Sequence, residues 1–137
     1  MNNNFQKIIS IIIISTSLYA CSKHTHSTTT DATKPIITVA EPTANDTLSL
    51  AVEPEVHVEF TTTDESGLHE LNVLVIKNST DTLLNDNPTV HDLTTYAYHE
   101  HVIPTGIISV TPMKVVITVN DHGNNIESRI INFFIEP

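Results

Sequence analysis

The 137-residue sequence contains one cysteine, no tryptophan and only three glycines, and each shortage excludes a class of site. A single thiol, Cys21, cannot form an intramolecular disulfide, so apolar packing alone has to hold the core. With three glycines there is no phosphate-cradling glycine loop, and no G-x-S-x-G nucleophile motif occurs. We therefore expect a protein that is not an enzyme.

Basic residues are also scarce, with six lysines and arginines against sixteen aspartates and glutamates, which gives a formal net charge of −10. Loss of the N-terminal segment described below removes Lys7 and makes that charge −11. A chain this acidic is a poor ligand for nucleic acids or for anionic lipid head groups. The acidity is compatible with solubility, with cations or with a basic partner.

The N-terminal twenty residues have the pattern of a signal peptide. A polar start with Lys7 precedes an apolar run over 8–18 that is too short to span a bilayer. The segment ends at Leu18-Tyr19-Ala20-Cys21, which resembles a bacterial lipobox. We predict that residues 1–20 are a cleaved lipoprotein signal peptide and that Cys21 is lipidated.

Residues 21–33 are polar and lack apolar periodicity, which predicts a lipidated flexible tether ahead of a domain at 34–137. Ser22 follows the cysteine where an aspartate would be a retention signal, so the outer membrane is the expected location. Whether the domain faces the periplasm or the exterior stays open. Its expected partners are the membrane, through Cys21, and an envelope protein.

Apolar alternation, rather than helical periodicity, dominates the rest of the chain. Residues 55–62 alternate strictly, with Val56, Val58 and Phe60 on one face. Residues 96–103 alternate too, and we expect their tyrosines to face the core. About seven short strands separated by turn signals predict an all-β, immunoglobulin-like β-sandwich.

Two polar stretches predict turns between these strands. Gly67 closes Asp64–Gly67 and is expected to adopt positive φ. In 121–125, either Gly123 or Asn124 is expected to take the left-handed conformation.

The strand at 96–103 carries His99 and His101, which we expect on the outer face. Residues i and i+2 of a strand lie roughly 6.5–7 Å apart on one face, so both imidazoles can reach one ion. Zinc and copper prefer such nitrogen ligands. In an immunoglobulin-like topology His57 would lie on the neighbouring strand as a third ligand, and His91 and Glu59 are weaker candidates. The alternative is a histidine pair that binds nothing.

The acidic turns offer a second candidate site. Asp64 and Glu65, with Asp121 and Asn124, supply oxygen ligands suited to calcium at strand ends. No dense carboxylate loop of the EF-hand type is present, so turn capping is the favoured interpretation.

Three segments also resemble a known family. They are 34–37 (KPII), 98–104 (YHEHVIP) and 119–124 (VNDHGN). Together they are similar to the small Ig-like lipoproteins of Bacteroidota grouped as DUF4625, a domain of unknown function. Members of that family tend to carry a histidine-rich loop between the third and fifth strands, whereas 78–92 keeps only His91 here.

The sequence thus predicts a non-enzymatic, lipid-anchored accessory or binding module of the cell envelope. The alternative function is transition-metal binding, to zinc or copper, through outward-facing strand histidines.

Overall fold

The computed structural model describes residues 31–137, and every regular element in that part of the chain is a β-strand. The all-β prediction is confirmed. The predicted signal peptide, Cys21 and most of the tether lie outside the described residues. Residues 31–137 contain no helix with the length and apolar character needed to cross a membrane. The strands are β1 (Ile36–Glu41), β2 (Thr47–Ser49), β3 (Val56–Thr63), β4 (Leu68–Lys77), β5 (Asp81–Asp86), β6 (Thr95–Val102), β7 (Thr111–Asp121) and β8 (Ile126–Glu136).

The strands form two sheets, with the orders β1-β3-β6 and β2-β8-β7-β4-β5. All pairs are antiparallel except β2 with β8, which is parallel. Residues 31–137 form eight strands rather than about seven, and β5 accounts for the difference because most of its residues are polar. It pairs along β4, so a neighbouring strand and not its own composition decides its conformation.

Side chains from both sheets meet in one apolar core. Along β3, Val56, Val58 and Phe60 are buried while the intervening residues are half-buried, as the alternation predicted. β4 and β7 lie inside the larger sheet and show the same alternation. The buried apolar residues are Ile37, Val56, Val58, Phe60, Leu68, Leu71, Val73, Val75, Val90, Tyr98, Val102, Met113, Val115, Ile117, Val119, Ile131, Phe133 and Ile135.

β6 directs Tyr98 inward and its two histidines outward, which confirms the expected faces of this strand. The Tyr98 ring stacks on Phe60, with centroids 4.9 Å apart. Its hydroxyl donates a hydrogen bond to Oδ2 of Asp86 on β5, over 3.0 Å. That bond joins the two sheets. Burial, assisted by the hydrogen bond to Asp86, raises the pKa of Tyr98.

Left-handed residues form the two predicted turns. Gly67 has a φ of 101°, as expected from its place between β3 and β4. In the turn between β7 and β8 the left-handed residue is Asn124, with a φ of 62°.

Contacts with the domain begin before the predicted start at residue 34. Ser66 Oγ donates a hydrogen bond to Oδ2 of Asp31, and Asn125 Nδ2 donates one to the Asp31 carbonyl over 3.1 Å. Asp31, which lies within the predicted tether, is thus hydrogen-bonded to two turns of the domain.

Candidate metal centre

Two neighbouring strands of the smaller sheet carry the predicted histidines. The antiparallel register of β3 and β6 places His57 opposite His101 and Glu59 opposite His99. All four belong to the more exposed set of their strands. Because directly opposed side chains have Cβ atoms about 4.5–5.5 Å apart, the four residues form one patch on the solvent face of the sheet.

The three imidazoles of this patch converge. One ring nitrogen each of His57, His99 and His101 lies within 4.8 Å of the others. The His57 centroid is 4.2 Å from that of His101 and 5.8 Å from that of His99, and the last two are 4.7 Å apart. Small side-chain rotations can bring three such nitrogens to roughly 2.0–2.1 Å from a shared zinc ion, the usual zinc–nitrogen distance.

Two glutamates of the segment before β3 cover one side of the imidazoles. Oε1 of Glu55 lies 2.9 Å from Nδ1 of His101 and 3.6 Å from Nε2 of His57. Oε1 of Glu53 lies 2.9 Å from the same His57 nitrogen. Glu53, Glu55 and His57 also offer ligand atoms within 4.8 Å of one another. A carboxylate is therefore available as a further ligand.

His57 is the least exposed of the three histidines, at 22 % of its side chain against 53 % for His99 and 42 % for His101. Its Nε2 atom is buried and forms no hydrogen bond of acceptable geometry, although the Glu53 carboxylate is close. A buried polar atom without a directed partner costs about 1–3 kcal/mol. Coordination to a cation would satisfy that nitrogen.

Of the two weaker predicted ligands, Glu59 joins the patch and His91 does not. Oε1 of Glu59 lies 3.1 Å from Nε2 of His99, so it borders the site. His91 lies instead in a second cluster with His69 and His122, whose ligand nitrogens are also within 4.8 Å of one another. His91 lies in the connection between β5 and β6, at the other end of the sandwich.

Sequence reasoning missed that second cluster. Its histidines are far apart in the chain, on β4, in the β5–β6 connection and in the β7–β8 turn. The usable signal was that His69 and His122 border or lie in a predicted turn and that His91 lies in the polar stretch 78–92 between strands. Strand ends of a sandwich gather at such positions.

The acidic turns bring together three carboxylates, those of Asp31, Asp64 and Asp121. Asp64 Oδ1 accepts hydrogen bonds from the backbone nitrogen and hydroxyl of Ser66, at 2.9 and 2.6 Å. Asp121 accepts bonds from the backbone nitrogen and Nδ2 of Asn125, both at 2.8 Å. Each carboxylate thus caps its own turn, as favoured above, and the Ser66 hydroxyl lowers the pKa of Asp31.

No model of a known protein family matches the chain, and a search of curated proteins finds none at significant similarity. Function is therefore inferred from the residues and their geometry.

Proposed function

We propose that this protein binds a transition-metal ion, zinc or copper, at His57, His99 and His101. The observation that supports the proposal is the convergence of three imidazole nitrogens within 4.8 Å. Imidazole is a preferred ligand of both metals, and three protein ligands plus water complete a tetrahedral zinc site. Glu53, Glu55 and Glu59 surround the rings with negative charge, which favours a cation at their centre.

A gain in fold stability is a weak explanation for the presence of three histidines and three glutamates in one patch. An exposed ion pair contributes about 0–1 kcal/mol, so the histidine–glutamate contacts stabilise the fold little. A metal ion that binds only the folded state would raise the free energy of unfolding, so the three histidines would then contribute to stability.

The proposed role is binding rather than catalysis. In residues 31–137 the serine and threonine hydroxyl hydrogen bonds go to carboxylates, carbonyls or other hydroxyls, and none goes to a histidine. A histidine hydrogen-bonded to the hydroxyl is the commonest base of a serine nucleophile. Three ligands on a rigid strand pair instead favour capture, storage or presentation of an ion.

The module is further proposed to be an immunoglobulin-like, lipid-anchored domain at the outer membrane, similar to the DUF4625 lipoproteins. The sheet orders β1-β3-β6 and β8-β7-β4 match strands A-B-E and G-F-C of that fold, and this supports the assignment. The lipobox-like segment ending at Cys21 supports the anchor. An envelope protein, rather than a nucleic acid, is the partner that the negative charge favours.

Calorimetry tests the metal site. Zinc and copper(II) are titrated into the full-length protein, purified without a polyhistidine tag, and into a His99→Ala/His101→Ala variant. His24→Ala and His26→Ala are present in both proteins, so that the N-terminal histidines contribute no heat. We expect the parent to bind with a dissociation constant of about 10⁻⁵ M or tighter, and the double variant to lose that binding event. Equal binding by the two proteins contradicts the proposal.

A further inference from the structure

Three more histidines meet at the end of the sandwich opposite the first site. His69 lies near the start of β4, His91 in the connection between β5 and β6, and His122 in the turn between β7 and β8. Along β3, six residue steps separate His57 from Thr63, the last residue before the turn into β4, and these steps span about 20 Å. The two clusters are therefore too far apart to share an ion.

The three rings form a nearly equilateral triangle. Their centroids are 5.1 Å apart for His69 and His91, 5.0 Å for His69 and His122, and 4.7 Å for His91 and His122. Nδ1 of His69 lies 3.1 Å from Nδ1 of His91. Two nitrogens bound to one tetrahedral zinc ion at 2.0–2.1 Å are separated by about 3.3 Å, so this pair already has nearly the spacing of two ligands.

Asp92 occupies the other side of two of these rings. Its Oδ1 lies 2.8 Å from Nε2 of His122, and its Oδ2 lies 3.7 Å from Nε2 of His91. A carboxylate on the nitrogen that does not bind the metal is the usual orienting partner of a histidine ligand. The His91 ring has Nε2 on the side of Asp92 and Nδ1 on the side of His69.

Backbone hydrogen bonds fix the three segments to one another. The Asp92 nitrogen donates to the Leu68 carbonyl over 3.0 Å, and the Leu68 nitrogen donates to the Leu93 carbonyl over 2.8 Å. The His122 nitrogen donates to the Gly67 carbonyl over 3.3 Å. The β3–β4 turn thus holds both of the other segments, and little ordering of the chain is needed before an ion binds.

A cleft of about 490 Å³ adjoins the triangle, with His69 and His91 in its wall. Asn72, Asn87 and Asn120 also line it, and their side-chain amides can donate and accept hydrogen bonds. A zinc ion with three histidine ligands keeps one coordination position for water or for a donor atom of a ligand. The cleft offers space for such a ligand beside the histidines.

From this geometry we infer a second transition-metal site, formed by His69, His91 and His122 and oriented by Asp92. It takes a zinc or copper(II) ion, and it does not depend on the site at His57. The protein therefore holds two ions, one at each end of the sandwich.

Zinc stoichiometry from native mass spectrometry, with affinities from calorimetry, tests the inference. The full-length protein is used without a polyhistidine tag. The parent and every variant carry His24→Ala and His26→Ala. One arm adds His69→Ala/His122→Ala and the other adds His99→Ala/His101→Ala. Glu70→Gln, an exposed neighbour of His69 on β4, is the matched control.

We expect two zinc ions in the parent and in the control, one in each double variant, and none when the two pairs of changes are combined. Unchanged stoichiometry and affinity in His69→Ala/His122→Ala overturns the second site, whatever the other arm shows. A single ion that is lost only from His69→Ala/His122→Ala supports the second site and contradicts the one at His57.

Because His122 contacts the β3–β4 turn, its replacement could lower stability as well as metal affinity. A further variant separates the two effects. His91→Gln removes one ligand from a side chain that is 55 % exposed and leaves the His122 contact intact. We expect at least about tenfold weaker zinc binding at this site, with an unchanged melting temperature of the zinc-free protein. Unchanged affinity in His91→Gln contradicts the inference.

Discussion

His57 on β3 lies directly opposite His101 on β6, and their ring centroids are 4.2 Å apart. This pairing depends on the register of the two strands, which the buried residues between them determine. A slip of one residue would turn Val56 and Val58 toward solvent, and the core opposes that change. The hydrophobic pattern that folds the smaller sheet therefore also assembles the candidate metal centre.

His57→Ala should weaken zinc binding more than the loss of either other histidine of the site. His57 is the least exposed ligand, contacts both other rings and has the buried nitrogen. We expect a loss of about 100-fold, or roughly 2.7 kcal/mol, measured by calorimetry. Glu100→Gln is the matched control, because Glu100 lies between His99 and His101 on the same strand and is exposed. An equal loss in the control contradicts a specific role for His57.

Alternation of apolar residues was enough to predict the all-β class and the inner and outer faces of β3 and β6. Combined with the expected immunoglobulin-like topology, it also predicted that His57, His99 and His101 lie on one surface of neighbouring strands. β5 escaped a firm prediction, since its strand conformation comes from pairing with β4 rather than from its own sequence.

The second cluster was beyond the reach of periodicity. His69, His91 and His122 meet because the backbone around Gly67 holds two distant segments. Such loop contacts depend on tertiary hydrogen bonds that no local pattern encodes. The contacts of Asp31 with Ser66 and Asn125 were missed for the same reason.

Tyr98→Phe should lower stability at neutral pH and change its dependence on alkaline pH. The variant keeps the stacking on Phe60 but loses the hydrogen bond to Asp86, at a cost of about 1 kcal/mol. Since the pKa of Tyr98 is raised in the folded protein, the unfolded chain ionises first as the pH rises above about 10. The folded state then binds more protons than the unfolded state, so the free energy of unfolding of the parent falls with pH there.

Urea denaturation at a series of pH values checks this prediction. We expect the difference between the parent and Tyr98→Phe to shrink steadily above about pH 10. Parallel profiles for the two proteins would show that the folded state does not hold Tyr98 neutral.

Gly67→Ala should weaken zinc binding at the second site as well as destabilise the fold. An alanine at this position would have to adopt a φ of 101°, which is unfavourable for a residue with a side chain. Its Cβ would lie 3.4 Å from Cδ2 of His122. Gly106→Ala is a matched control, since Gly106 also has positive φ, at 72°, but has nothing within 4 Å of the added atom. We expect both changes to cost about 1 kcal/mol of stability.

Only Gly67→Ala should alter the affinity of the ion bound at His69, His91 and His122, as measured by calorimetry in a His99→Ala/His101→Ala background. Equal effects of the two alanines on that affinity would indicate a general loss of stability instead of a local change.

Cys21→Ser should release the protein from membranes. If residues 1–20 are removed and Cys21 is lipidated, the mature protein partitions into the detergent phase of a nonionic detergent extract. The serine variant, expressed without residues 1–20, should remain in the aqueous phase, because that chain carries neither a lipid nor the apolar run over 8–18. The intact mass of the mature parent checks the modification directly. A mass without a lipid contradicts the anchor.

Anomalous diffraction at the zinc edge, from crystals grown with zinc, tests the metal site at His57, His99 and His101 most directly. We expect an anomalous peak about 2.0–2.1 Å from one nitrogen of each of His57, His99 and His101. A map with no peak among these three rings, at a zinc concentration that saturates the protein in solution, contradicts the proposed function.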